Sequence, residues 1–449
     1  MKMNLPNRRK TAAEDRKKQS RWRWASHAQK LLLFIITLTL ITGCETIPTS
    51  SITPKPWKNE QQATEQYPHL TEDKPPAHIA LLLPFDGVFA DAGNAVRNGF
   101  LSAWFKDAKG AKRPRITIHN TMGANVQLVY KEAISAGAEF VIGPLDKPSV
   151  ALLEELPQFP VPTLTLNNGK EASMQNNRNT VETLILTRIP AQNSPPPQIG
   201  ATKAPLYQFT LSPEFEAGQA AQRARYDGHA RAAILTPQTP WGQRMEHAFA
   251  TAWEQLGGII VDSRSFPAEL KEISATVERL LKTDTDCILM AAFPREARQL
   301  QPQIKFHHMG NRPMPVYTTY HVFSGVVNPL LDEDINGIIF ADMPWVLEQH
   351  SGNQSSLRNL VTSTWPESTS KYSRFYAFGI DAYRIIPYLP GLRFRNSPNF
   401  KGETGELSVD SQGHVNKQSL WAVMQRGKPV PDKNGPQYEQ HKKSIERDG

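Results

Sequence analysis

From His78 onward two kinds of apolar spacing alternate along the chain. Ile79–Pro84 is a continuous apolar run, the signature of a strand covered on both faces. Over Asp91–Lys109 the period changes. Val96, Phe100, Ala103 and Trp104 fall on one helical face, with Arg97 and Asn98 off it. Arg115–His119 reads as a second strand, Val126–Ala136 as a helix closed by Gly137, and Glu139–Ile142 as a third strand. A short helix over Pro148–Leu156 and a strand over Val161–Leu166 follow. This β-α-β-α-β-α-β order predicts an α/β fold with a parallel sheet and helices on both faces.

Asn167–Pro205 breaks the rhythm with several Asn and the run Ser194-Pro-Pro-Pro197, and reads as a long surface loop and a candidate contact element. The alternation then restarts. Helices are expected over Ser212–Arg225, Trp241–Leu256, Glu272–Lys282 and Arg295–His307, the first with a capping Ser212 before Pro213. Strands are expected over Arg231–Thr236, Ile259–Asp262, Asp286–Ala292, Pro315–Thr319 and Gly337–Ala341. Arg374–Leu389 follows as a helix, and Gly405–Val409 with Val415–Met424 reads as an antiparallel hairpin. Two β/α series predict two Rossmann-like lobes joined by a hinge. Residues 77–205 form lobe 1, with about 346–400 returning to it. Residues 206–345 form lobe 2, with about 401–430 returning, and the first crossing falls near Pro205–Phe209. Residues 431–449 are a polar tail.

Ahead of these lobes, Leu31–Gly43 is an uncharged, largely apolar run of thirteen residues. A membrane-spanning helix needs about 20 residues, whereas a signal-peptide core is shorter. Cys44 ends the run behind Ile41-Thr42-Gly43, the pattern of a bacterial lipoprotein signal. Residues 1–43 are read as the signal, cleavage falls between Gly43 and Cys44, and Cys44 takes the acyl chains that anchor the protein to lipid. Glu45 stands where an inner-membrane retention signal would place aspartate, so the expected location is the outer membrane, facing the periplasm. Residues 44–76 are polar and read as a lipidated, disordered tether. Its 32 residues after Cys44 reach roughly 30 Å as a coil and at most about 110 Å extended.

Composition then removes one class of function. Residues 1–30 hold ten Lys or Arg and two acids, which accounts for the whole formal charge of +8. The remaining chain is neutral, so no basic footprint for nucleic acid is left after the signal. Cys44 is committed to lipid, which leaves Cys287 alone in an apolar run as a packed core thiol.

Catalytic patterns are missing from the sequence. There is no Gly-x-Ser-x-Gly, His-Glu-x-x-His, Walker loop or Gly-x-Gly-x-x-Gly, so the chain is read as a non-enzyme without cofactor. His307-His308 lacks Cys or acidic neighbours at metal spacing and reads as a surface or capping pair. Asp332–Gly337 fits the first half of a calcium loop, but position twelve is Met343 in place of glutamate, so no metal site is assigned. The strand exits are where such folds take ligands, and they nominate an inter-lobe cleft at Asp86, Gly87, Gly143, Asn167, Trp241 and Gly242. Pro144, Pro237, Pro240 and Pro294 at these exits offer no N–H, which argues against a small-anion pocket.

Several motifs carry a resemblance. Ala92-Gly-x-Ala-Val-Arg-x-Gly-Phe100, Ile142-Gly-Pro-Leu145 and Phe209-x-Leu-Ser-Pro-Glu-x-Glu-Ala217 are three of them. Ile79-Ala-Leu-Leu-Leu-Pro84, Trp241-Gly-x-Arg244 with Trp253-x-x-Leu-Gly-Gly258, Ser373-Arg-x-Tyr376-Ala-x-Gly-Ile-Asp-Ala-Tyr383 and Gly402-x-Thr-Gly-x-Leu-Ser-x-Asp-x-x-Gly413 are the others. With the lipoprotein signal, they resemble the LppC/LpoA lipoproteins, activators of penicillin-binding proteins, from about Ile79 to Arg426. The resemblance implies a type I periplasmic-binding-protein fold used for protein contact. It also implies an outer-membrane lipoprotein whose partner is a class A, bifunctional peptidoglycan synthase, with no catalytic residues and no small-molecule ligand. Full-length members carry a helical-repeat domain before this region, and here Glu45–Pro76 stands in its place. The alternative is a lipoprotein solute receptor of an amino-acid or amide transporter, because the same fold serves both.

Overall fold

A computed structural model describes residues 76–107, 113–169, 204–267, 269–308, 310, 312–348, 355–394 and 397–436. Gly43, Cys44 and the tether lie outside the described residues, as do most of the 167–205 loop and the end of the polar tail. Among the described residues, no helix is long and apolar enough to cross a membrane.

Two sheets organise the chain. The first takes β1 (His78–Leu83), β2 (Arg115–Asn120), β3 (Phe140–Ile142), β4 (Thr163–Thr165) and β5 (Leu206–Phe209). The second takes β6 (Arg231–Pro237), β7 (Ile259–Phe266), β8 (Cys287–Met290), β9 (Val316–Thr318) and β10 (Ile338–Asp342). Three further strands, β11 (Phe400–Lys401), β12 (Glu406–Val409) and β13 (His414–Gln418), return to the first sheet. The last two, β14 (Leu420–Gln425) and β15 (Lys428–Pro431), close the second. The orders are β11-β12-β13-β5-β4-β3-β1-β2 and β15-β14-β10-β9-β8-β6-β7. The crossover-linked strands pair in parallel, whereas β11–β12–β13 and β10–β14–β15 pair antiparallel.

The longer helices are α1 (Ala90–Asp107), α2 (Val126–Ser135), α3 (Lys147–Glu154), α4 (Pro213–Tyr226), α5 (Pro240–Gln255), α6 (Ile273–Leu281), α7 (Pro294–His307), α8 (Ser356–Thr364) and α9 (Pro366–Arg384). Their starts follow local chemistry. Ser212 caps α4 by accepting from Phe215 N at 3.3 Å, and Thr239 caps α5 by accepting from Gly242 N at 3.0 Å. Proline stands in the first turn of both, where a missing N–H costs nothing.

Strand membership corrects the expected lobe boundaries. Leu206–Phe209 still belongs to the first sheet, paired with β4, so the first crossing follows Phe209. The segment from 401 was assigned to lobe 2, but β12 and β13 pair with the first sheet through Phe209↔Val415. The expected hairpin is real only as far as Gln418. After Ser419 the chain changes sheets, and β14 pairs with β10 instead. An alternating apolar run cannot reveal that its two halves cover different cores. α8 was not anticipated, and α9 starts earlier than its apolar face suggested, with non-helical φ/ψ at Tyr372.

One contact carries the join between the lobes. α9 lies against α1, and glycine sets the distance. A Cβ on Gly99 would stand 2.1 Å from Tyr376 O, and one on Gly379 would stand 2.0 Å from Val96 O. Only hydrogen fits on either side. Around that crossing, Ala95 and Ala103 of α1 and Tyr376, Ala377 and Ile380 of α9 share one apolar cluster with Leu235, Ile288 and Phe340 of the second sheet. Phe378 and Ala382 face the other way, into the core of the first sheet with Phe100 and Phe209. Ion pairs tie the helix at its middle and at its C-terminal end. Arg374 meets Asp342 at 2.6 Å, and Arg384 meets Asp107 at 2.6 Å and Glu403 at 3.0 Å.

Gly99→Ala and Gly379→Ala should each force the helices apart. We expect a loss of about 1–3 kcal/mol in urea unfolding, or more if the backbone cannot yield. Ser370→Ala, on the exposed face of α9, should stay within about 0.5 kcal/mol of wild type. Equal stability of all three variants would remove the crossing as a constraint.

Candidate functional site at the inter-lobe cleft

The six residues nominated from the strand exits fall into three groups. Asp86 and Gly87 follow β1. Asn120, at the end of β2, donates from Nδ2 to Asp86 Oδ2 at 2.7 Å and accepts from Phe85 N at 3.0 Å, so the exit is clamped to its neighbour. Beyond it, Val88 is 88% exposed, which places an apolar tip on the rim of the first lobe.

Gly143 and Asn167 form the second group. Gly143 has φ +100, and a Cβ there would meet Leu82 O at 2.0 Å, so glycine is required by its contact with β1. Asn167 spends its amide on the fold. Nδ2 donates to Leu145 O at 3.0 Å, while Oδ1 accepts from Asn168 N at 3.1 Å and Thr210 Oγ1 at 3.4 Å.

Trp241 and Gly242 open α5. Gly242 is again steric, with a Cβ position 1.9 Å from Pro237 O. Trp241 stacks on Phe293 at 4.7 Å between centroids and lies 5.1 Å from His321, which itself stacks on Tyr320 at 4.1 Å. Four aromatic rings therefore converge at the exits of β6, β8 and β9. Trp241 is half-buried, and Phe293 is exposed. Trp345, by contrast, is fully buried and unavailable for contact.

Beneath the rings lies a set of charges that the strand exits did not nominate. Lys417 of β13 donates to Glu216 Oε1 of α4 at 2.6 Å and to Ser419 Oγ at 2.7 Å, with both charged side chains buried. This pair spans the two sheets at the point where the chain leaves β13 for β14. Arg374 grips Asp342 with Nε at 3.0 Å and Nη2 at 2.6 Å, donates to Phe323 O at 3.0 Å, and lies over the Tyr320 ring at 4.4 Å. Glu214 pairs with Arg244 at 2.9 Å and with Ser212 Oγ at 2.8 Å.

Electrostatics follow from this packing. Burial raises the Glu216 carboxyl, and the Lys417 ammonium pulls it back. Burial also works against the Glu214 carboxylate, but its own backbone N–H, Ser212, Arg244 and Lys147 of the first lobe hold it below the usual range. Burial and the nearby Arg374 push His321 down to about 3, so its ring is neutral at physiological pH.

One sequence signal could have found Lys417. On β13 Val415 points inward, and period two puts Lys417 on the same buried face. Glu216 and Arg374 sit within the resemblance motifs, but nothing in their spacing pairs them with partners 201 and 32 positions away.

Lys417 with Glu216, Arg374 with Asp342 and Arg244 with Glu214 are thus ion-paired, while Asp86 is held by the neutral Asn120. Of the other sites weighed in the sequence, His307 bonds Ser274 Oγ at 2.8 Å and His308 bonds Arg312 O at 2.8 Å, as a surface pair does. Asp332 of the rejected calcium loop is buried against Arg298 at 2.8 Å.

Lys417→Met should cost about 3–5 kcal/mol, because it leaves Glu216 buried without its partner, while adding Glu216→Leu should recover most of the loss. Urea denaturation of the single and double variants checks this, and an undisturbed single variant would contradict it. His321 gives a pH signature. Its folded pKa lies below the unfolded value of 6.5, so the unfolded chain takes up the proton first. Stability should therefore fall with pH from about 6.5 toward 3, by roughly 2 kcal/mol between about pH 8 and pH 5 from this group alone. His321→Phe should lack that component when unfolding is measured at both pH values.

Comparison with known proteins bears on the same fold and cleft. The family model described as "LppC putative lipoprotein" matches residues 69–185 and 174–427. The penicillin-binding protein activator LpoA of Photobacterium profundum is 28% identical over 376 residues, covering 77% of this chain and 55% of the relative. The chain therefore spans about half the length of the curated relatives it matches. Among solved structures, the C-domain of LpoA (YraM) from Haemophilus influenzae, a regulator of PBP1A, superposes with a TM-score of 0.60 at 25% identity, over 79% of this chain and 99% of that one. A "putative branched-chain amino acid ABC transporter" from Chromobacterium violaceum superposes with a TM-score of 0.54 at 26% identity, over 78% and 100%. The architecture is thus periplasmic-binding-protein-like, and with its family model matching most of the sequence the chain belongs to the LppC/LpoA lipoprotein family.

Proposed function

We propose that this protein is an outer-membrane lipoprotein, anchored through Cys44 and facing the periplasm, that binds and activates a class A penicillin-binding protein. Activation here means raised peptidoglycan synthesis and transpeptidation by the synthase, with no catalysis by the activator itself. The observation that carries the reading is the match along almost the whole C-domain of LpoA, named a regulator of PBP1A. The cleft supports it independently. An amino-acid receptor needs free charges for an ammonium and a carboxylate. Here Glu216, Lys417, Arg374 and Asp342 are paired with one another.

An activator of this kind must bind the active conformation of the synthase more tightly than the idle one, since equal binding shifts nothing. A tenfold preference requires about 1.4 kcal/mol of differential contact. The likeness to a transporter protein keeps the solute receptor as the second reading. On that reading, free amino acids at 100 times their dissociation constant would stabilise the protein by about 2.7 kcal/mol.

The test is capture of a class A synthase from a detergent extract of the source cells by the purified chain, followed by assay of peptide cross-linking by the captured enzyme. We expect capture and a rise in cross-linking, with palmitate labelling of the wild type that Cys44→Ala loses. Capture without a change in cross-linking, or a melting shift with free amino acids and no capture, would overturn the activator reading.

A further inference from the structure

We infer that the end of the second sheet opposite the strand exits, where β6 and β8 begin, carries a zinc-type site, formed by the convergence of a His229 ring nitrogen, an Asp286 carboxylate oxygen and Cys287 Sγ. These three ligand atoms lie within 4.8 Å of one another. They come from the turn after α4 and from the start of β8. Asp286 N bonds Arg231 O, so the group sits where β6 and β8 begin, away from the cleft.

The hydrogen bonds around His229 fix which nitrogen is free. Tyr317 donates its hydroxyl hydrogen to Asp227 Oδ2 at 2.7 Å, and Asp227 is held by the Arg223 guanidinium at 3.0 Å. With that hydrogen committed, the phenol oxygen can only accept from His229 Nε2 at 3.1 Å. The imidazole therefore donates from Nε2, which leaves Nδ1 as the nitrogen that can face a metal. No hydrogen bond reaches Nδ1 among the described residues, and its nearest ionic neighbour is Asp286 Oδ1 at 3.8 Å. At that distance either a proton on Nδ1 or a metal cation between the two atoms makes the contact favourable. Metal-binding histidines are oriented by an acceptor on the other ring nitrogen, and Tyr317 with Asp227 behind it supplies one.

The rest of the site is fixed in place. Asp286 accepts from Ala230 N at 2.9 Å and from Arg231 N at 3.2 Å. Arg225 donates to His229 O and to Leu256 O at 3.3 Å, which holds the turn. Tetrahedral zinc with bonds of about 2.0–2.3 Å wants ligand atoms about 3.3–3.8 Å apart, so atoms as far as 4.8 Å apart must close by about 1 to 1.5 Å on binding. One nitrogen, one oxygen and one sulfur ligand suit zinc over magnesium or calcium. Cys287 is buried, but His229 is partly exposed and Asp286 is exposed, so an ion can enter from that side, with water as the fourth ligand. The ion would clip the turn after α4 to the start of β8. Binding replaces the thiol proton by the metal, and the proton leaves to buffer.

The experiment uses the untagged full chain in detergent, stripped with chelator and then titrated with zinc or cobalt(II). We expect one zinc per chain, and a thiolate-to-cobalt charge-transfer band in the near ultraviolet. Cys287→Ala and His229→Gln should each lose the band, and Asp286→Asn, an exposed change, should weaken zinc binding at least tenfold. Tyr317→Phe keeps all three ligands and should weaken it about tenfold to hundredfold, through orientation alone. Cys287→Ala retains Cys44, so a band that survives in that variant would place the metal elsewhere and overturn the site. A wild type that takes up no stoichiometric zinc would overturn it as well.

Discussion

The contact between α1 and α9 is the constraint from which the rest of the structure follows. At Gly99 and Gly379 the two helices approach until each backbone stands where the other's Cβ would be. That approach lets α9 place Tyr376 and Ile380 in the core of the second sheet while Phe378 and Ala382 fill the core of the first. A helix packed into both cores at once is a poor flexible joint. Its charges add to the effect, since Arg374 at mid-helix reaches into the second lobe and Arg384 at the C-terminal end holds α1 and the loop before β12.

The same reasoning explains why the resemblance motifs contain so little chemistry. Gly93, Gly99 and Gly379 are there for close backbone approach. Asp381 is buried and accepts from Glu403 N at 2.8 Å and Thr404 N at 2.7 Å, which fixes the return to the first sheet, and a Cβ on Gly402 would meet its carboxylate at 2.3 Å. Burial raises this carboxyl to about 7, against the pull of those donors. Ser212 is a cap, and Arg244 pairs with Glu214. The motifs describe how two lobes are held together.

Much of this was legible in the sequence, and the failures have physical causes. Continuous apolar runs marked β1, β6 and β8, because strands buried on both faces leave no polar position. Gly137 marked the end of α2 through its φ of +91. Sheet membership was not legible, because Val415 and Leu420 are equally apolar although they face different cores. The nominated strand exits proved to be scaffold at Gly143, Asn167 and Gly242, and an aromatic rim only at Trp241. Lys417 with Glu216 and Arg374 with Asp342 were missed because pairing across sheets depends on topology, which spacing along the chain does not encode.

The central claim is that the lobes keep a fixed relation and present a surface, in place of closing on a solute. Spin labels at Val88→Cys and Gln243→Cys, one on the exposed rim of each lobe, would measure it directly by electron–electron distance in a Cys44→Ala background, with Cys287 left buried. The account predicts one narrow distance that free amino acids and small peptides leave unchanged. A broad or double distribution that collapses to a shorter distance on adding an amino acid would contradict it.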